Sequence, residues 1–271
     1  MNGVLFFGGI HDVVTTSPSG GYRDSIKGVT FDDAVVGGIS IPAYAPASSM
    51  CCVPRTVGRN SVRAYAVSDL SKGSIRAGHA PDRPSGGTSI ILEIDADMPV
   101  TTMVRAAITS MEAVTCVMQD LDIRDADGNV CSGCSRLSVA VVRNRGSDLY
   151  IRGTGKHSKM GQIIGEAVYE AVKRSALING LPEPYGSDAL SRLARAGAGN
   201  PPSRDIVTDP RVDAMVSAVI SVMDGVRWGL IPSDAGTSTA RSMIESFYGE
   251  PLPEGDDVLA LLADRVASDI P

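Results

Sequence analysis

Aromatic side chains are scarce in this chain: only 4% of its 271 residues are Phe, Trp or Tyr. A core built with so few rings relies on Val, Ile, Ala and Met packed closely. Positive charge is short as well, with 25 Lys and Arg against 31 Asp and Glu and a formal net charge of −6 at pH 7. No cationic excess is available to neutralise phosphates, which argues against a nucleic-acid binder while leaving room for one local basic pocket. No apolar run approaches the roughly 18 to 20 residues of a membrane span. Residues 1–10 are apolar but short, carry no basic leader and precede no small-residue cleavage site, so they read as a first β-strand. The five cysteines are odd in number, with Cys51 and Cys52 adjacent. That pattern does not make a secreted disulfide framework, and reduced thiols in a cytoplasm are the simpler expectation.

What the chain does contain is periodic. Irregular sequence over residues 28–65 suggests short strands joined by turns. Residues 62–67 read as a strand, 71–78 as a short helix or turn, and 81–87 as a loop able to touch a ligand. Residues 88–94 are an almost continuous apolar run, as a strand buried on both faces requires. Met103, Ala107, Met111, Val114, Met118 and Leu121 then recur at steps of three and four, one face of a helix. A turn at 125–128 and strands at 137–142 and 149–152 lead to a second helix with Met160, Ile163, Ile164, Ala167, Val168, Ala171 and Val172 on one stripe and Gln162, Glu166, Glu170 and Lys173 opposite. This order predicts an α/β fold with helices packed on a mixed central sheet over residues 1–180. Residues 181–271 read as a helical extension. A linker at 196–205 precedes a helix opened by Asp209-Pro210 and closed by Gly225, with two more helices near 240–247 and 257–266. No chemistry is legible in that extension. Tyr65, Trp228 and the methionines are expected in cores.

The most informative segment is Gly153-Thr-Gly-Lys-His-Ser-Lys-Met-Gly161, a glycine-rich loop running into a helix. Helix-start N–H groups attract anions, and Lys156 and Lys159 add positive charge. It is not a nucleotide-triphosphate loop: Tyr150 stands five residues before Gly155 where glycine is needed, and His157 follows Lys156 in place of Ser or Thr. The bland alternative is a flexible turn with solvated lysines.

Four segments together carry a family resemblance. Gly155-Lys-His-Ser-Lys-Met-Gly161 and the helix after it resemble the Gly-Thr-His-Thr-Lys-Leu-Gly-Glu segment of adenosylcobinamide amidohydrolases. Gly87-Thr-Ser-Ile-Ile-Leu-Glu-Ile-Asp-Ala96 resembles that family's Gly-Thr strand ending in Ile-Asp-Ala. The helix carrying Met111-Glu-Ala113 is similar to the one that follows it, and Val67 to Gly78 resembles a segment ending in Arg-Ala-Gly. Order and spacing agree over roughly residues 60–180. The resemblance implies hydrolysis of the amide joining aminopropanol to the corrin ring, releasing cobyric acid for salvage. It implies a small corrinoid substrate, water as second substrate, no organic cofactor and no metal, and it allows a homo-oligomer.

Amide hydrolysis needs an attacking nucleophile or water, a positive site for the oxyanion and an acid for the leaving amine. His157 is the natural acid or base, since imidazole exchanges protons near neutral pH. Lys159 and the N–H groups of the loop could hold the oxyanion, and Glu112 is the best-placed carboxylate, a solvated helical Glu being its alternative. Thr88, Gly153, Gly155, Lys156 and Ser158 are candidate substrate contacts. One departure stands out. The family has a Thr-Gly-Thr-Gly-Thr-Asp stretch where this chain has Ser132-Gly-Cys-Ser-Arg-Leu137, so Leu137 replaces the Asp and Cys134 a Thr. Either Cys134 serves a rebuilt site as nucleophile, or the substrate differs, or the chain is a non-catalytic corrinoid or tetrapyrrole binder. Cys131-Ser-Gly-Cys134 also reads as a CxxC pair, as of a metal-binding interaction protein, but a structural zinc wants four ligands and a redox pair would open a helix. His11 and His79 stand isolated, with no role assigned.

Overall fold

The computed structural model describes residues 4–18, 20–33, 35–79, 86–125, 127–181, 189–198 and 209–268. Along them run the strands β1 (Val4–Thr15), β2 (Gly21–Phe31), β3 (Ile39–Ile41), β4 (Cys51–Val57), β5 (Asn60–Asp69), β6 (Ser74–Ile75) and β7 (Gly87–Ile94). Helix α1 (Val100–Asp120), strands β8 (Gly133–Cys134) and β9 (Leu137–Asn144), and helices α2 (Lys159–Ile178), α3 (Ala189–Arg195), α4 (Pro210–Arg227), α5 (Ser233–Tyr248) and α6 (Val258–Ser268) follow. Seven strands form one sheet in the order β3-β2-β1-β9-β7-β5-β4, and β6 pairs with β8 apart from it. The sheet is mixed: β7 runs parallel to β9 and antiparallel to β5, and β1 runs antiparallel to β9.

The apolar run of β7 has a direct physical reading. Successive strand side chains point to opposite faces. Ile90, Leu92 and Ile94 therefore join Val62, Ala64, Val139 and Val141 against one face of α1 and α2. Ile91, between them, packs on the other face with Val67, Ala140, Val142, Val13, Val29 and Phe31. A strand buried on both faces cannot alternate with polar residues, which is why this one reads as a run. Parallel pairing of β7 and β9 needs a crossover, and α1 supplies it. The helical stripes hold: every residue of the α2 stripe is buried, as are Met103, Ala107, Val114, Met118 and Leu121, with Met111 packed at the margin.

At the β1–β9 seam the fully buried Asp12 carboxylate accepts a hydrogen bond from Arg143 Nε at 2.9 Å, together with others from Tyr22 Oη and the Ser25 N–H. Burial alone would raise its pKa, but these bonds outweigh that and the net shift is downward.

Several boundaries differ from expectation. Residues 28–65 hold long paired strands as well as turns: β2 closes a hairpin with β1, β4 and β5 form a second, tight hairpin, and β5 also pairs with β7. The expected helix or turn at 71–78 contains β6, which is recruited by Gly133 and Cys134. The strand expected at 149–152 is only an isolated bridge between Asp97 and Tyr150. Within the 81–87 loop, residues 81–85, including Arg83, lie outside the described residues, as do 1–3 of the first strand and 199–205 of the linker.

The chain divides into two compact units, Met1–Ile123 with Val130–Leu181, and Arg124–Asn129 with Pro182–Pro271. In the second, α3 to α6 enclose a core of Leu190, Leu193, Val216, Val219, Ala240, Ile244 and Leu262. Asp209 caps α4, accepting from the Arg211 N–H with Pro210 in the first turn. The helix continues through Gly225 to Arg227, because a glycine at an ordinary helical φ need not end a helix. Trp228, expected in a core, is 41% exposed beyond the end of α4. Arg124 of the 124–129 turn makes a bidentate pair with Asp224 of α4, both contacts at 2.9 Å and both side chains almost wholly buried.

Candidate active site

The glycine-rich loop gets its shape from three local devices. Ser158 caps α2: its Oγ accepts from the Gly161 N–H at 2.9 Å and donates to the Gly155 carbonyl at 2.9 Å. Its own carbonyl accepts from the Gln162 N–H. Thr154, fully buried, fastens the loop to α1 by donating from Oγ1 to the Thr102 carbonyl and accepting at its own carbonyl from Thr109 Oγ1 at 2.9 Å. Gly161 lets the loop fold down on the first turn of α2, because a Cβ there would lie 1.9 Å from the Gly155 carbonyl oxygen. Loop and helix start are thus braced against the first half of α1.

Two hollows open on the outer side of this junction. One, of about 520 Å³, is lined by Arg105, Thr109, Glu112, Gly155, Lys156, His157 and Ser158. The other, of about 370 Å³, lies between α1 and α2 and is overwhelmingly apolar, with Ala113, Cys116, Gly161, Gly165 and Tyr169 in its walls. Thr109, Glu112 and Lys156 belong to both, so the two hollows adjoin. Glu112 Oε1 and Lys156 Nζ pair at 3.1 Å on that shared wall, and both side chains are well exposed. Such a pair contributes at most about 1 kcal/mol to stability; it draws the Lys156 ammonium toward α1 on the wall of the cleft that His157 also lines.

Five of the candidates read from the sequence, Glu112, Gly155, Lys156, His157 and Ser158, therefore meet around one cleft. Lys159 opens α2 and Gly153 begins the loop; both are exposed, and neither lines the two hollows. Thr88 and Cys134 belong to a different cluster. Thr88 Oγ1 lies 2.7 Å from Ser68 Oγ and 3.4 Å from Cys134 Sγ, and the Ser68 N–H donates to Ser175 Oγ. Ser175 stands 17 residues along α2 from the Ser158 cap, about 25 Å at helical rise. Leu137 sits beside this cluster, paired in register with Thr88 and packed against the core.

Arg105, Thr109 and Cys116 were missed as site residues. Their signal was present: 105, 109, 112 and 116 are spaced three and four apart, so they share a helix face with Glu112. Tyr169 and Gly165 were hidden because the apolar stripe of α2 drew attention to the opposite face.

Desolvation pushes the Cys134 thiol up to about 11, against the pull of its contacts with Thr88 and Ser74. Its alkylation by iodoacetamide, followed by peptide mass spectrometry, is expected to stay negligible at pH 7 to 8, while exposed Cys116 is modified. Rapid labelling of Cys134 at neutral pH would contradict this. Cys131 is buried in the core, and among the described residues no group of three His, Cys, Asp or Glu side chains is placed to hold a metal ion.

Comparison with known proteins agrees with the region these elements occupy. A family model described as adenosylcobinamide amidohydrolase matches residues 44–180, from before β4 to the end of α2. The uncharacterized protein MJ1613 of Methanocaldococcus jannaschii is 35% identical over 94 residues. That alignment spans 34% of this chain and 36% of the relative, about a third of each.

Proposed function

Because this chain belongs to the adenosylcobinamide amidohydrolase family, we propose that it hydrolyses the amide between aminopropanol and the corrin side chain of adenosylcobinamide, giving adenosylcobyric acid for corrinoid salvage. The observation that carries the proposal is the convergence of His157, Lys156, Glu112 and the capped start of α2 on one open cleft inside the matched region.

In this reading the scissile carbonyl oxygen faces Lys156 and the start of α2. The Ser158 cap consumes the Gly161 and Gln162 N–H groups, and Lys159 and Met160 line neither hollow, so the helix start acts on the cleft through its dipole at Ser158. A positive ammonium at the positive end of a helix dipole stabilises an oxyanion more than a neutral carbonyl, which is what accelerates the step. Glu112 acts as a positioning residue by holding the Lys156 ammonium at 3.1 Å. His157 takes a proton from water as the water oxygen bonds to the carbonyl carbon. It then delivers that proton to the amide nitrogen as the C–N bond breaks. Acid and amine leave with atoms balanced and no electron transfer. In this scheme Cys134 is not needed as nucleophile, and Arg105 and Ser158, which line the same cleft, meet the aminopropanol end.

The test is to incubate the purified chain with adenosylcobinamide and follow adenosylcobyric acid and aminopropanol by mass spectrometry. Stoichiometric appearance of both is the expected result. A shifted corrinoid spectrum without aminopropanol would instead make the chain a corrinoid binder. Neither product nor spectral change would mean another substrate.

A further inference from the structure

Gly165 lies in the second turn of α2, where a glycine destabilises a helix by about 0.5–1 kcal/mol relative to alanine. Helical glycines are ordinarily explained by a crowded neighbour or a left-handed φ. Gly161, one turn earlier, has the first explanation. Gly165 has neither: a Cβ built on it meets nothing within 4 Å, and its φ is not among the positive ones. Among the described residues nothing lies within 4 Å of that position, and Gly165 lines the hollow between α1 and α2.

We infer that this hollow is the subsite for the hydrocarbon edge of the corrin ring, and that Gly165 keeps it open. The inference rests on the reading above, in which the substrate amide lies in the adjoining cleft. Three observations select this occupant. The hollow shares Thr109, Glu112 and Lys156 with the His157 cleft, so one ligand can fill both. The surface it presents is mainly apolar, the polar side chains among its lining being engaged with one another in the Glu112–Lys156 and Gln162–Glu166 pairs, so ring hydrocarbon suits it better than the hydroxyl of aminopropanol. At about 370 Å³ it admits an edge of a macrocycle while the remainder stays in the open cleft. Tyr169 forms one wall, held in place because its hydroxyl donates to Asp120 at 2.9 Å.

The substitution Gly165→Leu adds four side-chain carbons, the first of which meets nothing within 4 Å, and replaces glycine with a good helix former. Its melting temperature is expected to equal or exceed that of the wild type. Adenosylcobinamide affinity, read from the visible corrinoid absorbance, is expected to fall on the order of tenfold or more. KM should rise by a similar factor with kcat within about twofold, the signature of lost binding that is uniform along the reaction. Gly165→Ala should give a smaller effect in the same direction. As a second measurement on the unaltered protein, saturating adenosylcobinamide should slow alkylation of Cys116, which stands in the same wall. Wild-type affinity in Gly165→Leu, or unprotected Cys116 in a chain that binds and hydrolyses the corrinoid, would overturn the subsite and leave the proposed reaction standing. A wild type that neither binds nor hydrolyses the corrinoid would remove the reaction and the subsite together.

Discussion

His157→Ala is expected to lower kcat for corrinoid amide hydrolysis by about 10² to 10⁴-fold, the usual contribution of a positioned acid–base group. Its KM should move little, because the imidazole is assigned to proton transfer and not to holding the ring. The side chain is exposed at the rim of the cleft, so the melting temperature should stay close to that of the wild type. That combination separates a catalytic role from a structural one, since a loop residue that mattered only for folding would move stability first. Product formation measured by mass spectrometry under saturating substrate is the check. Activity within a few-fold of wild type would remove His157 from the mechanism and return attention to the Thr88–Cys134 cluster on the far part of α2.

The second large effect is on stability, and its sign runs against the usual rule. Alanine ordinarily stabilises a helix relative to glycine, by up to about 1 kcal/mol. At Gly161 the new Cβ would lie 1.9 Å from the Gly155 carbonyl oxygen and 2.8 Å from that of Thr154, both backbone atoms that a rotamer change cannot move. The loop must lift from α2, weakening the Ser158 cap and the Thr154 contacts with α1. Gly161→Ala should therefore cost about 1–3 kcal/mol, the ordinary range for forced overpacking. For a unit of this size that lowers the melting temperature by several degrees, at roughly 2–4 °C per kcal/mol. Activity should fall with it, since Lys156 and His157 ride on the displaced loop. Calorimetry on Gly161→Ala beside Gly165→Ala makes the comparison internal: one residue type, one helix, opposite signs. Equal or raised stability in Gly161→Ala would show that the loop does not need its close approach.

Much of the architecture was legible because periodicity reports burial directly. The α1 and α2 stripes, the doubly buried strand before α1 and the Asp209 cap of α4 each follow from local rules acting on neighbouring residues. Pairing with remote partners is less readable. In residues 60–65 the strand β5 takes a partner from β7 beyond the next loop, and Ser74 becomes a strand residue only through Cys134. Trp228 misled for a related reason: a large apolar ring is usually buried, but its position just past the end of α4 leaves it exposed.

At the site, residue chemistry was in the sequence and proximity was not. Glycines, lysines and a histidine before a helix announced an anion-attracting loop, and Glu112 stood out as a carboxylate on the preceding helix. That Glu112 reaches Lys156, and that Cys134 turns toward Thr88 and away from His157, depends on how far the loop climbs along α1 before α2 begins. The chain by itself determined the long periodic elements, α1, α2 and the doubly buried strand between Gly87 and Ile94, and which of their faces turn inward, since those depend on side-chain period and local capping. Only tertiary structure decided which candidates share a cleft, because packing α1 beside α2 sets the offset between two helices that no local interaction in either one encodes.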